Sequence, residues 1–153
     1  MKKRDKGKSH DTVATPHHIL SFVSKLFKHE AFWDPCPLKE DYTVNGLTLD
    51  WGKHRNIWVN PPYSRVKLWV RKARESFKTC PTIEKIIMLI KNENLGNTYM
   101  NNISSEANLF TFCQKITFIG YKNRARFSSI LLEFTRDSTG AWRSVQENDL
   151  KSK

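Results

Sequence analysis

The stretch that most constrains this chain is Asn56-Ile57-Trp58-Val59-Asn60-Pro61-Pro62-Tyr63-Ser64. Ile57, Trp58 and Val59 favour a strand, and the two prolines end it, because neither has an N–H to give to a neighbouring strand. Each proline also pushes the residue before it into an extended conformation, so Asn60 and Pro61 are both stiffened. The chain leaves a sheet through two rigid peptide units that carry an amide side chain, carbonyl oxygens without a local partner, and an aromatic ring just beyond. Such a turn can seat a flat amine. The Asn60 side-chain oxygen and the Pro61 carbonyl can each accept one N–H of an exocyclic –NH2 group, while Tyr63 stacks on the ring that bears it. Held in this way, the amine aims its lone pair at an electrophile, and catalysis comes from positioning without a strong base. The plainer reading of Asn-Pro-Pro-Tyr is a rigid strand-to-loop turn, and the tetrapeptide alone does not separate the two.

The flanking sequence alternates strand and helix patterns. Thr15 suits a helix N-cap and Pro16 the first helical position. Ile19, Leu20, Val23, Leu26 and Phe27 follow at helical spacing. His29 to Trp33 read as a short strand that stops at Asp34-Pro35-Cys36-Pro37, leaving Asp34 at the rim where open α/β sheets bind ligands. Lys39 to Asn45 is polar loop, and Gly46-Leu47-Thr48-Leu49-Asp50-Trp51-Gly52 is bounded by glycines. Beyond the proline turn, Ser64 suits a helix cap. Val66, Trp69, Val70, Ala73 and Phe77 share one helical face, and Arg65, Lys67, Arg71, Lys72 and Arg74 populate the rest. That basic surface is either a contact for a phosphate backbone or an ordinary solvated face. Ile86 to Ile90 is an unbroken apolar run, as expected of a strand covered on both faces. A weaker helix is expected within 94–106, strands at 109–113, 116–119 and 128–134, and a frayed polar tail over 136–153. The pattern predicts an α/β domain over 12–135 with a mostly parallel sheet and a mixed edge.

Length and charge narrow the class further. The chain has 153 residues, enough for one domain with a core. Lys and Arg number 26 against 15 Asp and Glu, a formal charge of +11, which points to a polyanionic partner, nucleic acid being the commonest. Residues 1–11, with Lys2, Lys3 and Arg4, form a basic arm suited to phosphate. No apolar run approaches the ~20 residues of a membrane span, and the amino terminus lacks the apolar stretch of a secretory signal. Cys36, Cys80 and Cys113 lack CxxC spacing. That argues for free thiols in a reducing, intracellular compartment and against a metal site.

Asp34-Pro35, Asp50-Trp51 and Asn60-Pro61-Pro62-Tyr63 all fall near predicted strand ends. A carboxylate there can bind an ammonium, a ribose hydroxyl or an adenine amino group. S-adenosylmethionine offers all three, together with a sulfonium methyl that an aimed amine can attack. Either Asp is also an ordinary turn former.

The ordered set Thr15-Pro16, Asp34-Pro35-Cys36, Gly46-Leu47 to Asp50-Trp51, Asn60-Pro61-Pro62-Tyr63-Ser64, Trp69 with Lys72-Ala73, and the strand at 86–90 resembles the small phage-type DNA N6-adenine methyltransferase (Dam) family. The resemblance spans roughly residues 14–134. It implies a reduced Rossmann-like domain, S-adenosylmethionine as methyl donor, and the N6 of adenine in DNA as acceptor. By position, Asn60, Pro61, Pro62 and Tyr63 correspond to the catalytic motif. Thr15, Pro16, Asp34 and Pro35 line the methionine end of the cofactor, and Asp50 meets its adenosine half. The resemblance also suits a phage-encoded enzyme acting in the cytoplasm of a host cell. The adenine would have to be flipped out of a duplex to reach such a pocket. Lys2, Lys3, Arg4, Arg65, Lys67 and Arg71 are the expected DNA contacts. Competing readings are a methyltransferase for RNA bases or protein amides, which use the same tetrapeptide, and a nucleic-acid-binding relative without catalysis. The chain departs from the family pattern in four places. No glycine-rich loop follows Asp34, Pro37 stands where a small residue is expected, the loop before Phe127 is short, and Lys91-Asn92-Glu93-Asn94 stands where a proline, an arginine and a tryptophan are expected.

Overall fold

The structure is a computed structural model and describes residues 13–37, 45–112, 114–138 and 140–150. The arm with Lys2, Lys3 and Arg4, most of the polar loop after Pro37, and Cys113 lie outside the described residues.

The apolar run forms the body of β2 (Lys85–Lys91). It lies between β1 (Asn56–Val59), which is parallel to it, and β4 (Ser129–Thr135), which is antiparallel. β3 (Asn108–Phe112) pairs antiparallel with β4 and parallel with β5 (Trp142–Val145), giving the order β1-β2-β4-β3-β5. Both faces are covered, as the unbroken pattern requires. Ile57, Val59, Ile86, Met88, Ile90, Leu132 and Phe134 pack on one face with Trp69, Val70 and Ala73 of α2 (Val66–Thr79). Trp58, Ile87, Leu89 and Leu131 pack on the other with Ile19, Phe22, Val23 and Phe27, from α1 (His17–Leu26) and its end. Among the described residues no helix is long and apolar enough to cross a membrane.

Several expectations are corrected. The reversed strand β4 lies in the middle of the sheet and not at an edge. The segment 29–33 is not a strand: Lys28 and His29 take left-handed backbone angles beyond α1, and only Trp33 bridges, in parallel, to Ile57. The expected helix within 94–106 is three short 3₁₀ turns. Asparagine side chains compete there for the backbone; Asn94 donates to the Lys91 carbonyl (2.9 Å). Ile116 and Phe118 are buried as expected but lie in an irregular segment. The expected polar tail contributes β5 to the sheet, and Val145 is buried. Its alternation is hard to read because Trp142 faces out, 56% exposed.

One charged pair enters this apolar frame, with Glu133 buried and Lys85 half-buried. Lys85 Nζ donates to Glu133 Oε2 (2.8 Å) and to the Leu26 carbonyl (2.9 Å), and Asn108 Nδ2 donates to Glu133 Oε1 (3.0 Å). The network ties the end of α1 to three strands, and every member is satisfied, which a buried charge requires. Glu133→Ala leaves the Lys85 ammonium with only a carbonyl. The expected loss is on the order of 3 kcal/mol, seen as a fall in melting temperature of roughly 10 °C. Thermal melts of the single variant and of Lys85→Met/Glu133→Leu check this. The double variant should recover most of the loss, because no charge is then left buried.

Candidate active site

The side-chain alternation of β1 places Asn60 on the same face as Trp58, the α1 face. The segment leading into α1 crosses the carboxyl end of β1 on that face. Asn60 Nδ2 donates to the Val13 carbonyl (2.8 Å) and to Thr15 Oγ1 (2.9 Å). Both amide hydrogens are thereby spent, and the orientation of the group is fixed by a carbonyl that can only accept. Oδ1 remains as the acceptor. Thr15 therefore holds Asn60 and does not cap α1. The N-cap position is Pro16, and no side chain caps it. Ile19 and Leu20 both donate back to the Pro16 carbonyl, and among the described residues no acceptor takes the N–H groups of His17 and His18.

Pro61 is buried and Pro62 half-buried and extended (φ −62°, ψ 137°). The Pro62 carbonyl accepts from Arg65 N–H (3.1 Å), which closes a 3₁₀ turn over Tyr63–Arg65. Among the described residues no donor engages the Pro61 carbonyl. The turn thus leaves two acceptors, Asn60 Oδ1 and Pro61 O, without a donor among the described residues. The Tyr63 ring stands edge-to-face with Phe127, centroids 5.3 Å apart.

Asp34 belongs to the same rim. Trp33 bridges in parallel to Ile57 and its carbonyl accepts from Trp58 N–H (2.9 Å), so Asp34 directly follows the residue that pairs with β1. Asp34 Oδ1 accepts from Cys36 N–H (2.8 Å). Burial raises its carboxyl above the ordinary value, and that hydrogen bond pulls the other way. Burial, with the Asp34 charge adding to it, pushes the Cys36 thiol up to about 12. Pro35 is fixed by Gly46, where a Cβ would stand 2.0 Å from the Pro35 carbonyl oxygen, so only glycine fits. Trp51 Nε1 donates to the Gly46 carbonyl (2.9 Å), and Trp51 packs against Trp33 and Trp69.

Asp50 does not join the group. Its Oδ1 accepts from Gly52 N–H (2.9 Å) and caps the 3₁₀ turn Trp51–Lys53. The Gly52 carbonyl accepts from Thr82, on the segment entering the amino end of β2, whereas Asn60 leaves the carboxyl end of β1. The two residues therefore belong to opposite ends of the strand pair.

Lys67 and Arg71 are exposed on α2, and Arg65 is exposed at the end of the 3₁₀ turn before it. Arg74 is not part of this exposed group: the guanidinium bonds Glu106 and the carbonyls of Tyr99 and Asn101, holding α2 to the β2–β3 connection. Among the described residues no cluster of His, Cys, Asp and Glu can hold a metal ion. Sequence reasoning missed the Val13 carbonyl, Lys91 and Phe127. The first is a backbone atom and leaves no residue-type signal. The other two reach the site only through strand pairing.

A carboxyl whose folded-state value is raised favours the folded state at low pH, and that contribution is lost as pH rises through the folded value. Asp34 therefore costs stability at neutral pH. Asp34→Asn keeps the acceptor for Cys36 N–H without the charge. It should melt higher than wild type at pH 7, and the gap should close as the buffer is taken below the Asp34 value. Melts across pH 3 to 8 check this; a gap independent of pH would refute it.

Comparison with known proteins places these features in a family. The profile of the DNA N-6-adenine-methyltransferase (Dam) family matches residues 4–133. A DNA N-6-adenine-methyltransferase of Escherichia phage T1 is 40% identical over 86 residues, covering 50% of this chain. This chain spans 35% of that relative's length. Among solved structures, the type IIL restriction-modification enzyme MmeI in complex with DNA aligns with a TM-score of 0.48 and 14% identity, over 72% of this chain and 20% of its own. On the extent of the profile match, the chain belongs to the DNA N-6-adenine-methyltransferase (Dam) family.

Proposed function

We propose that the protein transfers a methyl group from S-adenosylmethionine to the N6 amine of an adenine held out of DNA. The observation that carries this reading is the Asn60 amide, whose two hydrogens are donated to Val13 and Thr15. An asparagine free to rotate could offer the target amine either its oxygen or its NH2 group. This one is locked with the acceptor outward, beside a second acceptor at Pro61.

The two acceptors take the two N–H bonds of the adenine amine and draw its nitrogen lone pair out of conjugation with the ring, toward the methyl donor. Tyr63 stacks on the base. As the nitrogen gains its methyl group it becomes cationic, and one of the seated N–H protons then leaves to solvent, which restores a neutral amine. When bound, S-adenosylmethionine supplies an electrophilic methyl on a sulfonium and a neutral thioether as leaving group. The residues of the rim fit that cofactor. Among the described residues the Asp34 carboxylate has no ion-pair partner, which suits an ammonium. The uncapped amino end of α1 suits a carboxylate. The Thr15 hydroxyl, accepting from Asn60, still has its own proton to donate. Asp50 has no comparable support. Helices on both faces, the parallel β1–α2–β2 unit and a site at strand carboxyl ends support the Rossmann-like reading. A DNA substrate puts the protein at work inside a cell.

The test incubates the protein with labelled cofactor and adenine-containing DNA or RNA, then identifies the modified nucleoside by mass spectrometry. N6-methyldeoxyadenosine is expected. A modified ribonucleoside alone would move the substrate to RNA, and no product with either would leave a binding protein. Asn60→Ala abolishes transfer. Thr15→Val keeps the fold and removes one of the two holds on the amide, so kcat falls by roughly 10- to 100-fold while DNA affinity stays. Replacing Arg65, Lys67 and Arg71 by Ala should flatten the plot of log affinity against log salt by up to about 0.9 for each phosphate no longer neutralised. An unchanged slope would show that α2 touches no phosphate.

A further inference from the structure

Lys91 closes β2 on the α1 face, the face of Asn60, and its strand partner in β4 is Ser129. The next rung, Asn92 N–H to the Ser128 carbonyl (2.8 Å), continues the pairing and brings Phe127 up to the rim. Three segments thus meet at one point: the turn after β1 with Tyr63, the end of β2 with Lys91, and the approach to β4 with Phe127. Lys91 Nζ lies 4.4 Å from the centroid of the Tyr63 ring and 4.4 Å from that of Phe127. The rings stand at 76° to each other. The ammonium sits in the angle between two π faces, which favours a cation.

We infer that Tyr63, Phe127 and Lys91 together form the compartment for the target base, and that Lys91 is the residue that sets its admission. This rests on the proposed reading of Tyr63 as the face that receives the base. A ring stacked on Tyr63 with its edge toward Phe127 needs the volume that the Lys91 ammonium fills, so base and ammonium exclude one another. In the free protein the Lys91 ammonium fills the angle between the two rings, which touch edge-to-face. A base takes the seat only by displacing the ammonium, whose four-carbon stem lets it swing to solvent or to the phosphate of the displaced nucleotide. The compartment therefore rewards a flat ring with strong stacking and discriminates against one whose stacking is weaker than the cation–π attraction it replaces. The departure of the sequence at Lys91-Asn92-Glu93-Asn94 gains a role in this way. The Asn94 side chain bonds the Lys91 carbonyl and shares a short hydrogen bond with the Tyr99 hydroxyl, anchoring the backbone from which Lys91 swings.

The test uses the protein and a short single-stranded deoxyadenylate oligonucleotide with one 2-aminopurine at its centre, a probe that needs no target sequence. At saturating protein, which removes differences in affinity, time-resolved fluorescence gives the ratio of ring-stacked to unstacked 2-aminopurine. Lys91→Met keeps the length and loses the charge. It should raise that ratio by roughly 3- to 10-fold, whereas Lys91→Arg should stay near wild type. Tyr63→Ala should remove the stacked population in every background. An equal or lower ratio in Lys91→Met, or a stacked population that survives Tyr63→Ala, overturns the inference. Methylation of deoxyadenosine by the wild-type protein, assayed in parallel, judges the proposed activity separately. A seat gated by Lys91 without methyl transfer would sink the activity and keep the compartment.

Discussion

The structure depends on the need of β2 to be buried on both faces. Five consecutive apolar residues, Ile86 to Ile90, cannot leave either side to water, so α1 must cover one side and α2 the other. Fully burying side chains of this size is worth roughly 1.5–3 kcal/mol each, far more than any polar contact at the rim. The position of the site follows. Once α1 lies across the sheet, the segment before it must cross the carboxyl end of β1, where Val13 and Thr15 meet Asn60.

Apolar packing alone would let α1 slide. The Lys85–Glu133–Asn108 network restricts it, because Lys85 Nζ also reaches the carbonyl of Leu26 at the end of that helix. Fixing the carboxyl end of a ten-residue helix fixes its amino end as well, since a helix is a stiff rod of about 1.5 Å per residue. A buried ion pair contributes little net stability; its value here is registration. The amide of Asn60 is aimed by residues whose own positions are set at the far end of α1. A similar division holds on the opposite face, where Arg74 is spent on holding α2 to the β2–β3 connection and leaves the outward Arg65, Lys67 and Arg71 available to a partner.

The two ends of the strand pair also differ in chemistry. Among the described residues, polar groups at the carboxyl rim are left with spare capacity: Asn60 Oδ1, the Pro61 carbonyl, the first N–H groups of α1, and a carboxylate at Asp34 that burial makes reluctant to ionise. At the amino end, Asp50 is consumed by a local cap and Arg136 by the carbonyls of Phe77, Cys80 and Ile83. Spare hydrogen-bonding capacity gathered at one rim marks a place for a ligand, because buried polar groups are ordinarily paired.

By itself the sequence determined the strand-and-helix alternation, the two-sided burial of 86–90, the stiff proline turn and the acceptors that such a turn must present. These are short-range consequences of residue type: proline has no N–H, and an apolar run tolerates no water. It also marked Thr15 as lying just before a helix. Only the tertiary structure decided that Thr15 holds Asn60 and caps nothing, that Asp50 faces away, and that β4 runs backward through the middle of the sheet. It alone decided that Trp142 to Val145 add a strand, and that Lys91 and Phe127 close around Tyr63. Each of these is a pairing between segments far apart in the chain. The direction in which a strand runs leaves no mark on its composition, because parallel and antiparallel neighbours bury the same side chains; only the register of the whole sheet selects between them.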